Sequence, residues 1–172
     1  MELLFDEQIY HRIIQELLPS AEKFVWIATA DLKDLHVDRG KKYLPFLSVL
    51  AELVSSGVQI RLMHAKEPGP RFRKDFDRYP QLIEGEFFER VLCPRLHAKI
   101  FIIDGKAAFT GSANLTGAGV GAKSPNRRNF ESGVLFQDPQ SVNELAEYFD
   151  NIWMGNRCDA CQRKDVCPDP IA

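Results

Sequence analysis

The residues able to do chemistry are concentrated between His97 and Asn114, in the run His97-Ala98-Lys99-Ile100-Phe101-Ile102-Ile103-Asp104 and the block Gly111-Ser112-Ala113-Asn114 that follows it. An extended segment alternates its faces, so His97 and Lys99 are expected on one side with Phe101 and Ile103, and Ala98, Ile100 and Ile102 on the other. Asp104-Gly105 between two apolar runs is a strong hairpin signal, and the chain should double back through Lys106 to Thr110. The return carries Gly111, Ser112 and Asn114 to His97 and Lys99, with Gly111 expected to let backbone approach a bound group closely. An imidazole, an ammonium, a hydroxyl and a carboxamide in one pocket suit a phosphoryl group. Lys99 supplies a point charge to its oxygens, and Ser112 and Asn114 supply neutral donors. His97 is then left to attack phosphorus, splitting one hard displacement into two through a covalent phosphohistidine, with a second proton-transferring group required for the leaving oxygen. This scheme needs no metal.

These residues resemble the signature of the phospholipase D superfamily, H-x-K-x4-D-x6-G-S-x-N, in which His97, Lys99, Asp104, Gly111, Ser112 and Asn114 stand at every fixed position. Asn129-Phe130-Glu131-Ser132-Gly133 is similar to the family's N-x-E segment. The resemblance spans roughly residues 20 to 155 and implies an α/β layered domain, a mixed β-sheet flanked by helices. It implies a phosphodiesterase in which Glu131 hydrogen-bonds and orients His97, while Asp104 is structural. Two-motif members of the family take one histidine from each motif, and single-motif members pair two identical chains. The assembly implied is a C2 homodimer with both His97 residues facing across the axis, one as nucleophile and one as general acid.

A second His-x-Lys tripeptide, His64-Ala65-Lys66, lacks the rest of the motif. The aspartate position falls on Arg71, the Gly-Ser-x-Asn block on Arg78-Tyr79-Pro80-Gln81, and Pro68-Gly69-Pro70 breaks any following strand. His64 is therefore not expected to be catalytic.

The elements needed to position the pocket are legible around it. Residues 6 to 18 space Ile9, Ile13, Ile14, Leu17 and Leu18 as an amphipathic helix ended by Pro19, and residues 23 to 30 read as a buried strand. Asp31 to Lys42 reads as a polar connection containing His36. A helix opened by Pro45 and closed by Gly57 leads to a strand over Val58 to Met63, a strand-helix-strand order that implies a right-handed parallel crossover. Glu86 to Leu92 is expected as the strand before the motif. Leu115 to Asn129 is a long glycine-rich loop, Glu131 to Phe136 a strand, and Ser141 the start of a helix with a Ser141/Glu144 capping box.

With 172 residues, 45% hydrophobic and 27% charged, the chain suits one domain over 1–155 and a short cysteine-containing tail over 156–172. A net charge of only -2 means that a nucleic-acid site must be a local basic patch. Candidates are Arg71, Arg73 and Lys74, interleaved with Phe72, Phe76 and Tyr79, and Arg127 and Arg128 just before Glu131. The tail reads C-x2-C-x5-C-P, and Cys158, Cys161 and Cys167 with Cys93 make up all four cysteines of the chain. They form a candidate four-thiolate set for a structural Zn2+ or a [4Fe-4S] cluster. The spacing resembles the C-terminal cluster of some DNA-processing nucleases, which implies a staple rather than a catalytic metal. The N-terminus has no basic, apolar leader pattern, and no run approaches about 18 apolar residues, so a cytoplasmic, membrane-free protein is expected. The function expected is metal-independent endonucleolytic cleavage of DNA or RNA. The alternatives are a phospholipid phosphodiesterase, or a non-cleaving nucleic-acid-binding module of a larger assembly.

Overall fold

The computed structural model describes residues 1–33 and 35–169; residues 170–172, the end of the tail, lie outside the described residues. Among the described residues, nine strands and four α-helices run in the order β1 (Glu2–Phe5), α1 (Glu7–Ile9), β2 (Phe24–Thr29), β3 (His36–Asp38), β4 (Tyr43–Pro45), α2 (Phe46–Ser55), β5 (Gln59–His64), α3 (Pro70–Phe76), β6 (Phe88–Leu92), β7 (Ile100–Ile103), β8 (Ala107–Gly111), β9 (Ser132–Phe136) and α4 (Pro139–Trp153).

Seven strands form one sheet in the order β1-β9-β8-β7-β2-β5-β6. The β2-α2-β5 crossover pairs in parallel, as does β5 with β6, whereas β7, β8, β9 and β1 are antiparallel. The sheet is therefore mixed, as expected. Successive residues of β2 and β7 serve opposite layers because a strand alternates its faces. Val25, Ile27, Phe101 and Ile103 face the large core under the N-terminal helix and α2, and Ala28, Ile100 and Ile102 face α4. On the α4 face Trp26 stacks on Phe149 and Phe149 on Trp153, and the Arg61 guanidinium lies 5.1 Å from the Trp26 ring centre.

Three local expectations are corrected. The N-terminal helix is not a plain α-helix: α1 passes into a π-wound stretch over Tyr10–Leu17 and a 3-10 turn over Leu18–Ser20. The wider winding still buries Ile9, Ile13, Ile14 and Leu18 against the sheet. The connection after β2 is partly ordered, since His36–Asp38 and Tyr43–Pro45 pair as a small hairpin. Finally, α4 starts two residues early. Asp138 caps it by accepting the Ser141 N–H at 2.9 Å and Pro139 is its first residue, so Ser141 is not the cap.

Candidate active site

The motif folds as a tight hairpin. Asp104 and Gly105 adopt positive φ of 54° and 66°, the two left-handed positions of a type I′ turn, and β7 and β8 pair from Ile103↔Ala107 to Ile100↔Thr110. The Asp104 side chain does not point into the pocket. Its two oxygens accept the backbone N–H groups of Glu22, Lys23 and Phe24 at 2.8–2.9 Å, tying the turn to the start of β2. Burial would raise its pKa, but these three donors hold the carboxyl below its ordinary value. Asp104 is a structural residue, as the resemblance implied.

His97 and Lys99 lie in extended backbone just before β7, with Gly111 N–H still bonded to the Lys99 carbonyl at 3.3 Å. The two side chains share a face as alternation requires. Lys99 Nζ stands 3.1 Å from His97 Nδ1 and 3.4 Å from Nε2, and donates to the His97 carbonyl at 2.7 Å. Lys99 is buried and His97 exposed. Desolvation lowers the Lys99 pKa, and the nearby Glu131 carboxylate partly restores it. A buried cation beside an accessible imidazole is a ready seat for an anionic oxygen.

Register brings in the other motif residues. β8 pairs with β9 down to Gly111↔Gly133, which sets Ser112 against Ser132 and Glu131. The Ser112 hydroxyl donates to the Glu131 carboxylate and accepts the Ser132 N–H at 3.1 Å. Asn129 Nδ2 donates to the other Glu131 oxygen at 3.0 Å. Glu131 thus orients Ser112 and Asn129, whereas the expectation was that it would hold His97. Among the described residues, the hydrogen bonds of the His97 ring are to Lys99. Asn114 accepts the Asp31 N–H on Oδ1 at 3.1 Å, leaving its NH2 as a donor. Gly111 has a different reason from the one expected. A Cβ there would lie 2.5 Å from the Ser132 carbonyl and 2.7 Å from Gly133 Cα, so the glycine permits close β8–β9 contact rather than approach of a ligand.

Several supporting residues had no signal of their own. Asp6 brackets Glu131, donating its N–H to the Glu131 carbonyl at 3.0 Å and accepting the Glu131 N–H on its carboxylate at 2.9 Å. Thr29, buried at the end of β2, accepts the Leu115 N–H at 2.9 Å and so fixes the backbone after Asn114. A polar residue closing an apolar strand was the only hint of it.

His64 is fully buried, with Nδ1 on the Lys66 carbonyl at 2.8 Å and Nε2 without a partner. Burial depresses its pKa. It is a packed residue outside the His97 pocket.

The basic candidates separate. Arg73 pairs with Glu67 at 2.6 Å, and Arg128 pairs with Glu7 at 2.7 Å, which ties the loop to the N-terminal helix. Arg127 and Lys74 are exposed, with no ion pair among the described residues. Arg71 lines a groove of about 720 Å³ with Lys33, Tyr43 and Lys123. The four cysteines fall in one corner. Cys93, Cys158 and Cys161 line a cavity of about 120 Å³ that also touches His97, and Cys167 Sγ lies 3.9 Å from the Leu92 carbonyl. All four are free thiols, and among the described residues no three histidine, cysteine or carboxylate side chains are grouped so as to hold a metal ion. Hydrogen bonds from the Arg163 backbone and the Arg95 side chain pull the Cys161 thiol pKa down. No helix among the described residues is long and apolar enough to cross a membrane.

The hairpin, the paired His97 and Lys99 and the layered mixed sheet define a class, and the chain belongs to the phospholipase D superfamily. Residues 14–153 match the family model described as "Cardiolipin synthase, PLD-like domain". The chain is 28% identical over 142 residues to the probable cardiolipin synthase YwiE of Bacillus subtilis (strain 168), covering 78% of this chain and 25% of that protein. It is 27% identical over 105 residues to the mitochondrial cardiolipin hydrolase of Chlamydomonas reinhardtii, covering 61% of this chain and 44% of that protein. The chain thus spans less than half the length of either relative. Among solved structures, the phospholipase D family member Nuc from Salmonella typhimurium superposes with a TM-score of 0.61 at 14% identity, covering 88% of this chain and 92% of that one.

Proposed function

We propose that this chain hydrolyses phosphodiester bonds through a covalent phosphohistidine, and that its substrate is nucleic acid. The observation that carries the chemistry is an exposed imidazole, His97, held within 3.1 Å of a buried ammonium, Lys99. In the first step an N–P bond forms from His97 as the P–O bond to the leaving group breaks. The departing alkoxide takes its proton from the imidazolium of a second histidine. That histidine, now neutral, removes a proton from water. The water oxygen bonds to phosphorus, the N–P bond breaks, and a phosphomonoester leaves with His97 regenerated. Lys99, Ser112 and the Asn114 amide match the charge on the phosphoryl oxygens.

The second histidine is assigned to the partner of a C2 homodimer, the partner subunit's His97. His64 cannot serve, being fully buried with Nδ1 engaged. Next to the pocket, Phe130 is 97% exposed, and Leu3 and Phe5 lie half-exposed on the edge strand β1. That apolar surface suits a second copy of the chain. The test is a rapid acid-free quench with an oligonucleotide followed by peptide mass spectrometry. A nucleotidyl adduct on the His97 peptide supports the mechanism, and turnover with no adduct at any quench time overturns it.

Cleavage of a phospholipid diester is the second reading, favoured by the cardiolipin named in the family model and in both relatives. For the tail we propose a structural role. The tail is already clamped to the end of β6, where Asp169 accepts the Leu92 N–H at 2.8 Å and Arg163 donates to the Pro94 carbonyl at 3.0 Å. A Zn2+ or [4Fe-4S] group held by Cys93, Cys158, Cys161 and Cys167 would reinforce that clamp by drawing together thiols that are not grouped as a metal site among the described residues. Elemental analysis of anaerobically purified protein tests it: about one zinc or four irons per chain supports the staple, and neither metal removes it.

A further inference from the structure

Two neighbouring depressions share three lining residues, which places them end to end as one groove. The first, of about 290 Å³, starts at Asn114 and Asn129 and is walled by Lys33, Gly117 and Lys123. The second, of about 720 Å³, shares those same three residues and continues to Tyr43 and Arg71. The channel therefore begins beside the motif asparagine and runs outward between the post-motif loop and the β3–β4 hairpin.

Its charged lining among the described residues is three cations, Lys33, Arg71 and Lys123, and one carboxylate, Asp31, at the Asn114 end. Lys33, Arg71 and Lys123 are all exposed. Neither Arg71 nor Lys123 is drawn into an ion pair among the described residues. Lys33 pairs at 2.7 Å with Asp31, whose carboxylate is also met by Lys66 at 3.3 Å, so the one acid among the described lining residues is outnumbered. Against an overall charge of -2, this is a local concentration of cations. Tyr43 is 67% exposed on the channel wall, and an aromatic face held open to solvent amid cations is what a nucleobase stacks on.

Resting on the phosphodiesterase reading above, we propose that this channel is a tracking groove for a single polynucleotide strand. The strand leaves the cleavage site past Asn114, Lys123 and Lys33 hold its successive phosphates, Arg71 holds a further one, and a base stacks on Tyr43. A duplex would keep its bases paired and away from Tyr43, so the groove selects single strands. Tyr43, Phe72 and Ala122 also give the groove apolar wall, so vesicles are included in the test as the competing occupant.

The test measures binding in the His97→Ala background, so that the strand is not cut. Affinities are compared for a dinucleotide, a single-stranded 12-mer, the same 12-mer as duplex, and vesicles of cardiolipin in phosphatidylcholine. The 12-mer is expected to bind more tightly than both the dinucleotide and the duplex. Adding Arg71→Gln and Lys123→Gln should lower the salt dependence of 12-mer binding by about 1.4 in log-log slope, the value for two phosphate contacts on a single strand. Adding Tyr43→Ala should weaken the 12-mer by about five-fold or more. Melting curves by circular dichroism establish that each variant is folded, and Tyr43→Ala stands alone if the double charge variant is not. Equal affinity for dinucleotide and 12-mer, or an unchanged salt slope in folded Arg71→Gln/Lys123→Gln, overturns the groove. So does vesicle binding that these substitutions abolish while the 12-mer is ignored. If the 12-mer binds as described but protein with His97 intact never cuts it, the groove stands and the cleavage reading falls.

Discussion

Asp104 is the motif residue whose removal separates architecture from chemistry. Its carboxylate accepts three backbone N–H groups, Lys23 and Phe24 on one oxygen and Glu22 on the other. Asp104→Asn tolerates the positive φ but removes the charge and turns one acceptor into a donor facing an N–H. A hydrogen bond to a charged group is worth about 1.5–3 kcal/mol, and because these bonds are partly solvent-exposed the lower end applies, about 1.5–2 kcal/mol. For a chain of this size the melting temperature should fall by about 3–8 °C. Asp104→Ala loses all three hydrogen bonds and adds left-handed strain, for a total of about 3–5 kcal/mol. The pH dependence has a fixed sign. A carboxyl whose folded pKa lies below its unfolded value contributes stability above about pH 3.9 and loses it as pH falls through the folded pKa. Urea unfolding of wild type and Asp104→Asn should therefore show the full difference at pH 7 and a shrinking one below about pH 4. Turnover per folded molecule should be retained. An Asp104→Asn protein with unchanged stability and lost turnover would refute the structural assignment.

Other outcomes follow from the same geometry. Gly133→Ala places a Cβ against the Phe109 ring and should destabilise the sheet by about 1–3 kcal/mol in chemical denaturation. Glu131→Gln weakens the Ser112 hydrogen bond from a charged to a neutral one and should lower kcat about ten-fold in steady-state assays, with the fold retained. For His64, burial keeps the folded imidazole neutral while the unfolded one protonates near pH 6.5, so stability should decline as pH drops below about 6.5. In His64→Gln that decline should flatten, and cleavage should persist. Because the chemistry proposed for His97 uses no divalent ion, activity should survive EDTA in protein whose circular dichroism is unchanged.

The motif hairpin was legible because its signals are local. Asp104-Gly105 fixes the tight turn between Ile103 and Ala107, and a period of two puts His97 beside Lys99 whatever surrounds them. The β2-α2-β5 crossover was legible for the same reason. What could not be read depends on register between distant segments. Glu131 meets Ser112 because β8 pairs with β9 at Gly111↔Gly133, and Arg128 pairs with Glu7, far away in the chain. Gly111 carried a correct identity with the wrong reason, since the crowding comes from β9. The capping error at Ser141 was a competition between two good caps one turn apart, won by Asp138 because Pro139 pre-sets the first helical residue. The channel past Asn114 was illegible because Lys33, Tyr43, Arg71 and Lys123 come from four separate loops and elements.

The central claim is that His97 attacks phosphorus in a phosphodiester of nucleic acid. Wild type and His97→Ala, incubated in EDTA with end-labelled single- and double-stranded DNA and RNA and, in parallel, with cardiolipin vesicles, test it most directly. Cleavage of a polynucleotide by wild type alone is the predicted result. Equal cleavage by both proteins would contradict the role of His97, and cleavage confined to cardiolipin would contradict the substrate.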